Sequence, residues 1–61
     1  MTIDYEAEVK KVYPMAKLDG DMDMDCDLLW WVEIKNGERI SDTFYYEWEA
    51  WRSAYEMIKG E

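Results

Sequence analysis

The side chains most able to do chemistry in this chain are the carboxylates of one short run, residues 19–27. Aspartate occupies every second position there, giving five aspartates and no basic residue. Five mutually repelling charges add nothing to a hydrophobic core. We therefore expect the run to meet a positive partner, such as a basic protein surface or a metal ion, or to remain a solvated acidic loop.

Metal binding is the first chemistry to consider. Asp21, Asp23 and Asp25 match the first three ligands of an EF-hand loop. The later positions fail, because Cys26 stands where that loop needs glycine and Val32 where it needs a bidentate glutamate. One cysteine without any histidine also argues against structural zinc. The sequence predicts no metal and no cofactor, with weak Ca²⁺ association left as an open alternative.

Catalysis is not expected either. Without histidine, no Ser-His or Cys-His nucleophile pair can form. A chain of 61 residues also has little volume in which to enclose a carboxylate pair away from water. The sequence therefore predicts that the protein is not an enzyme.

Binding to a basic protein surface is the remaining chemistry. Alternate side chains of an extended strand share a face and lie about 6.6 Å apart. The residues that would form such a row of anions, similar to successive phosphates, are Asp21, Asp23, Asp25, Asp27 and Glu33. A basic DNA-binding groove could accept this row. Leu29 and Trp31 share its parity, so we expect them to form either an apolar anchor for a partner or homodimer, or a second small core.

Size and charge narrow the class of protein. The chain has the length of one domain, residues 1–61, with a net charge of −8. This charge argues against direct contact with nucleic-acid phosphates or with an anionic membrane. No segment resembles a signal peptide or the roughly 20-residue apolar run that spans a bilayer, so we expect a soluble, cytoplasmic protein.

The elements that position these residues begin with a helix. Thr2 is a candidate N-cap, and an apolar stripe runs from Tyr5 to Val12. Pro14 disfavours helical backbone at the preceding residue, so the helix should end near Val12 or Tyr13.

Two strands should follow the first helix. Every even position from Met22 to Ile34 is apolar, which is the period of a half-buried strand. A single strand of that length would outreach so small a domain. We therefore expect a short strand around residues 15–19, an acidic connection that extends the ladder partway, and a second strand over Leu28–Lys35.

Asn36-Gly37 predicts a hairpin to a third strand. A two-residue turn would place Ile40 on the face of Glu33 and Trp31. A three-residue turn or a β-bulge would pair Ile34 with Ile40 and keep the apolar face together, and we favour this odd-length connection.

A second helix should end the chain, with caps offered by residues 41–43. Apolar residues spaced by three or four predict its buried stripe: Phe44, Trp48, Trp51, Tyr55 and Ile58. The fold class predicted is α+β, with an N-terminal helix, a three-stranded antiparallel sheet and a C-terminal helix. Both helices should pack on one sheet face.

Several short motifs follow one another along this pattern. They are Val9 with Tyr13-Pro14-Met15-Ala16, the strand Leu29-Trp30-Trp31-Val32, the Asn-Gly turn, and Glu49-Ala50-Trp51-Arg52-Ser53-Ala54. Their order resembles short bacteriophage and prophage proteins of helix–three-strand–helix type, which carry Tyr-Pro-x-Ala and Glu-Ala-Trp-x-x-Ala motifs. In those proteins a serine commonly caps the last helix three residues before the glutamate, and Tyr46 stands at that position here.

The resemblance implies a genomic setting, not an activity. Small acidic phage proteins, including anti-restriction and anti-CRISPR proteins, often inhibit host machinery by stoichiometric binding and sometimes imitate DNA charge. The resulting hypothesis is a non-enzymatic protein-binding module that modulates a host defence or nucleic-acid-processing protein with a basic surface. The alternative is a small structural or assembly protein that self-associates through an exposed sheet face.

Overall fold

The computed structural model describes residues 2–35 and 37–60 of the chain. Its elements in chain order are α1 (Tyr5–Val12), β1 (Lys17–Met22), β2 (Leu28–Lys35), β3 (Glu38–Arg39) and α2 (Glu47–Ile58). The strands form one antiparallel sheet in the order β1-β2-β3, with both helices against one face. The predicted α+β fold is confirmed. Neither of these helices is long and apolar enough to span a membrane.

Helix α1 begins with a side-chain cap, although at Asp4 and not at Thr2. The Asp4 Oδ1 atom accepts a hydrogen bond from the Ala7 backbone N–H at 3.1 Å. A carboxylate at this end also interacts favourably with the positive end of the helix dipole. The helix ends at Val12, as expected from Pro14.

The core lies between the two helices and the sheet. Its buried members are Val9, Ala16, Val32, Ala50, Trp51 and Ala54. Trp30 and Ile34 of β2 and also Ile40 pack against them, as the alternating pattern predicted, whereas Leu28 at the start of β2 is exposed. Because the two alanines of α2 are one turn apart and small, α1 can approach α2 closely.

Strand β1 starts later than expected and runs further into the acidic run, to Met22. Gly20 lies directly opposite Trp30 in the neighbouring strand. A β-carbon at Gly20 would lie 2.8 Å from the Trp30 ring, closer than any unstrained contact. Position 20, between two aspartates, therefore suits a glycine, because the Trp30 indole packs against the strand there.

The hairpin between β2 and β3 contains the expected bulge. The register shifts at Ile34, which lies between two paired positions of β2. The Ile40 N–H donates to the Val32 carbonyl oxygen at 2.9 Å, so Ile40 lies on the core face. The bulge is confirmed, but Ile40 lies opposite Val32 and not opposite Ile34 as expected. Asn36 of the predicted turn lies outside the described residues.

Ser41 completes the sheet and does not cap α2. Its Oγ atom accepts a 2.8 Å hydrogen bond from the Val32 N–H and donates one of 3.0 Å to the Asp42 carbonyl oxygen. The expected role as a helix cap was wrong because the sheet edge continues past β3. Beyond β3 the serine hydroxyl takes the place of a backbone carbonyl as the acceptor for the Val32 N–H.

Helix α2 begins three residues after the start of its predicted stripe. Phe44 lies outside the helix and exchanges two backbone hydrogen bonds with Trp30, at 2.7 and 2.8 Å. Tyr46 is the N-cap, and its side chain makes no capping hydrogen bond.

Trp48 was expected in the core, and this prediction is wrong. Its side chain is 55% exposed. The buried face of α2 is defined by Ala50, Trp51 and Ala54. At about 100° per residue, Trp48 projects roughly 100° away from the centre of that face, so the helix rotation leaves it in solvent.

Candidate protein-interaction surface

The acidic run divides between a strand and a loop. Asp19 and Asp21 belong to β1 and pair with Trp31 and Leu29, which places them on the sheet face away from the helices. Residues 23–27 turn the chain from β1 into β2. The predicted row of evenly spaced aspartates is therefore wrong beyond Asp21, because the backbone leaves the extended conformation there.

The loop is held by the side chain of its first residue. Asp23 Oδ1 accepts hydrogen bonds from the backbone N–H groups of Asp25, at 2.9 Å, and Asp27, at 3.0 Å. The Asp23 backbone also bonds to Asp27 and Cys26, at 3.0 and 3.1 Å. Cys26 adopts a φ of +66°, a left-handed conformation that is unusual for a residue with a side chain. The Asp23 contacts offset that strain.

Three carboxylates converge as a result. Oxygen atoms of Asp23, Asp25 and Asp27 all lie within 4.8 Å of one another. The set differs from the EF-hand set read from the sequence, because Asp21 lies in β1. Oxygen atoms suit hard cations such as Ca²⁺, and each carboxylate can supply one or two of the roughly six to eight oxygens that this ion takes. The clearest consequence of the geometry is a dense negative charge at one end of the sheet.

Trp31 lies on the sheet face opposite the core, as its parity predicted, but it is 7% exposed. Its indole Nε1 donates a 2.7 Å hydrogen bond to Glu33, which is equally buried. The Arg39 guanidinium lies 4.0 Å from the centre of the indole ring. Trp31 therefore belongs to a second small core, and neither it nor Glu33 is open to a partner. Leu29 is half-buried beside them.

Other apolar side chains are open next to the acidic loop. Met24, within the loop, is 100% exposed, and Met22 and Leu28, paired at the end of the sheet, are also exposed. Even parity had placed all three on the core face. The signal that could have identified them is length, because a strand reaching to Met22 extends beyond the helices that cover the sheet.

The first two aspartates of the run also cover the sheet edge. Trp30 directs its backbone hydrogen bonds to Phe44, so the odd-numbered residues of β2 direct theirs to β1. The N–H groups of Gly20 and Met22 consequently point to the free edge of β1. Asp19 and Asp21 accept these N–H groups at 2.8 Å each through Oδ1.

Four residues form the acidic surface of the protein: Asp21, Asp23, Asp25 and Asp27. Within residues 2–35 and 37–60 none of them forms an ion pair. The ion pairs found there join Lys10 to Glu6, Lys11 to Glu8, Lys35 to Glu38 and Arg52 to Glu56. The acidic surface thus keeps its charge available to another molecule.

No protein-family model, curated protein or solved structure matched this chain in comparison. Function is therefore inferred from the geometry of the chain itself.

Proposed function

We propose that this chain is a non-enzymatic protein-binding module that attaches to a basic surface of its target. The target class we propose is a host defence or nucleic-acid-processing protein, met in the host cytoplasm by a phage-type inhibitor or modulator. The observation that carries the proposal is the acidic surface. Three of its carboxylates lie within 4.8 Å of one another, and none of its residues forms an ion pair with another described residue.

A dense cluster acts differently from a regular row of charges. Charges held close together create a strong local potential, which speeds the encounter with a cationic surface and orients it. The effect weakens with salt, because the screening length is about 8 Å at physiological ionic strength. A cluster therefore supports electrostatic attraction to a basic patch better than it supports imitation of evenly spaced phosphates.

The residues proposed to make the apolar contact with the partner differ from those expected from the sequence. Trp31 is enclosed, so the proposed anchors are Met22, Met24 and Leu28, which border the acidic surface in the open. Methionine is flexible and polarizable and adapts its shape to a partner. Leu29 lines a shallow groove of about 220 Å³ together with Asp21, Asp23 and Arg39.

The test compares capture of a bacterial protein by three baits at low and high salt. The first is the unmodified chain. The second carries Asp21→Asn, Asp25→Asn and Asp27→Asn, leaving Asp23 in place because it holds the loop. The third is a charge-matched control with Glu47→Gln, Glu56→Gln and Glu38→Gln, all exposed and outside the acidic surface.

The expected result is salt-sensitive capture by the first and third baits and loss of capture by the second. Equal capture by all three, or capture indifferent to salt, would contradict the proposal. The competing proposal of self-association through the outer sheet face is weakened by the burial of Trp31. It predicts a concentration-dependent dimer in sedimentation, whereas we expect a monomer.

A further inference from the structure

A separate groove of about 430 Å³ lies between the segment that enters α1 and the first turn of α2. Ile3, Asp4 and Glu6 line one side, and Trp48 and Trp51 line the other. None of these residues belongs to the acidic surface or to its apolar border. The groove is therefore a second feature that the proposed function does not use.

The aromatic wall of this groove has an open and a closed part. Trp51 belongs to the core, while Trp48, one turn earlier on the same helix, is 55% exposed. Ile3 across from it is also exposed. Tryptophan left in water beside another apolar side chain is typical of a binding hot spot, since Trp is the residue most enriched there.

The charged side chains that line the groove are both acidic, and one of them, Glu6, is paired with Lys10. These lining residues are Asp4 and Glu6, and the described lining includes no lysine or arginine. Asp4 uses one oxygen to cap α1, through Ala7, and its other oxygen makes no hydrogen bond to the described residues. The lining thus combines an aromatic surface with carboxylates, which together favour a cation.

The chain already contains one example of this recognition. Lys10 Nζ lies 2.8 Å from Glu6 Oε2 and 5.6 Å from the centre of the Trp51 ring. Glu6 and Trp51, which both line the groove, therefore share one cation. Asp4 and Trp48, which also line the groove, are a second carboxylate and indole, and among the described residues neither contacts a cation.

We propose that this groove binds an arginine side chain from a basic segment of a partner protein. The guanidinium stacks on the exposed Trp48 indole and faces the Asp4 carboxylate, while the arginine methylenes contact Ile3. Arginine fits better than lysine, because its guanidinium is planar and weakly hydrated and stacks on aromatic rings. This site shares no residue with the acidic surface, so the two proposals are tested separately.

The experiment is an NMR titration of the ¹⁵N-labelled chain with three capped tripeptides, Gly-X-Gly. X is arginine, citrulline, which keeps the shape but lacks the charge, or norleucine, which is purely apolar. The expected result is saturable movement of the Trp48 indole N–H and Ile3 amide signals with the arginine peptide. Citrulline should bind about two- to fivefold more weakly, the range for an exposed cation–π contact.

Two variants complete the test. Trp48→Ala should abolish the arginine response, whereas Tyr45→Ala, which removes another exposed aromatic side chain outside the groove, should leave it unchanged. Equal binding of arginine and citrulline, tighter binding of norleucine, or movement confined to the acidic surface would each overturn the proposal. The peptide series on the unmodified chain decides this even if Trp48→Ala does not fold.

Discussion

The indole Nε1 of Trp31 donates a 2.7 Å hydrogen bond to Oε2 of Glu33, two residues further along β2. Both side chains are 7% exposed although neither belongs to the core beneath the helices. Arg39, directly opposite Glu33 on β3, covers the Trp31 ring. An aromatic ring, a carboxylate and a guanidinium together close the outer face of the sheet.

Removing the donor of this hydrogen bond should destabilise the fold. Trp31→Phe should lower the free energy of unfolding by about 1–3 kcal/mol, because the buried Glu33 carboxylate loses its partner. Glu33→Gln keeps an acceptor oxygen and should have a smaller effect. Urea unfolding followed by circular dichroism measures both. Equal losses in the two variants would mean that the hydrogen bond is not the cause.

The same relationship affects how association should be tested. Trp31→Ala would remove a buried ring at a cost of about 3–5 kcal/mol. A domain of this length has a total stability of roughly 3–9 kcal/mol. A lost dimer in that variant would therefore reflect unfolding, so the sheet edge gives a better test.

Uncovering the edge of β1 should promote association. Replacing both Asp19 and Asp21 with alanine frees the outward N–H groups of Gly20 and Met22, which then offer a template for another strand. We expect concentration-dependent dimers or aggregates in analytical ultracentrifugation. The double asparagine variant removes the same charge but keeps an acceptor oxygen at each position, so it should remain monomeric. Association of both variants to the same extent would attribute the effect to charge alone.

The hydroxyl of Ser41 should contribute measurably to stability. Ser41→Ala leaves the buried Val32 N–H without its 2.8 Å acceptor, which should cost about 1–3 kcal/mol. Hydrogen exchange should show faster exchange at Val32 than in the unmodified chain. Thr43→Ala, an exposed neighbour, serves as the control and should change little. Unchanged protection at Val32 would contradict this role of the hydroxyl.

The start of α2 should accept a stabilising substitution. Tyr46 is an N-cap without a side-chain hydrogen bond, and Glu49 stands three residues later. Tyr46→Ser creates a capping box, with the serine oxygen on the Glu49 N–H, and should raise the free energy of unfolding by about 0.5–2 kcal/mol. Thermal unfolding measures the gain. Tyr46→Ala, which removes the same ring without adding a cap, should show none, and an equal gain there would attribute the effect to the lost tyrosine.

Local signals in the sequence predicted most of the fold. Three features depend only on neighbours a few residues away. They are the period of two in β2, the end of α1 before Pro14 and the apolar face that includes Ile40. Such patterns act through backbone sterics and through the alternation of side chains. For this reason the element order and the bulge were predictable without knowledge of the packing.

The candidate site was less predictable. The sequence identified the aspartates but described them as a row, whereas backbone hydrogen bonds to Asp23 fold three of them into a cluster. Parity placed Trp31 on the outer face, but the position of Arg39 on another strand decided that it is buried.

What the sequence by itself determined is which residues share a strand face or a helix, and that the chain carries a large excess of negative charge. Only the tertiary structure decided which of those faces are open: Trp48 is exposed, Trp31 is closed, and Met24 lies in solvent. The physical reason is that periodicity sets the direction of a side chain relative to its own backbone. Burial depends on whether another element reaches that side chain, and this is set by where distant parts of the chain begin and end.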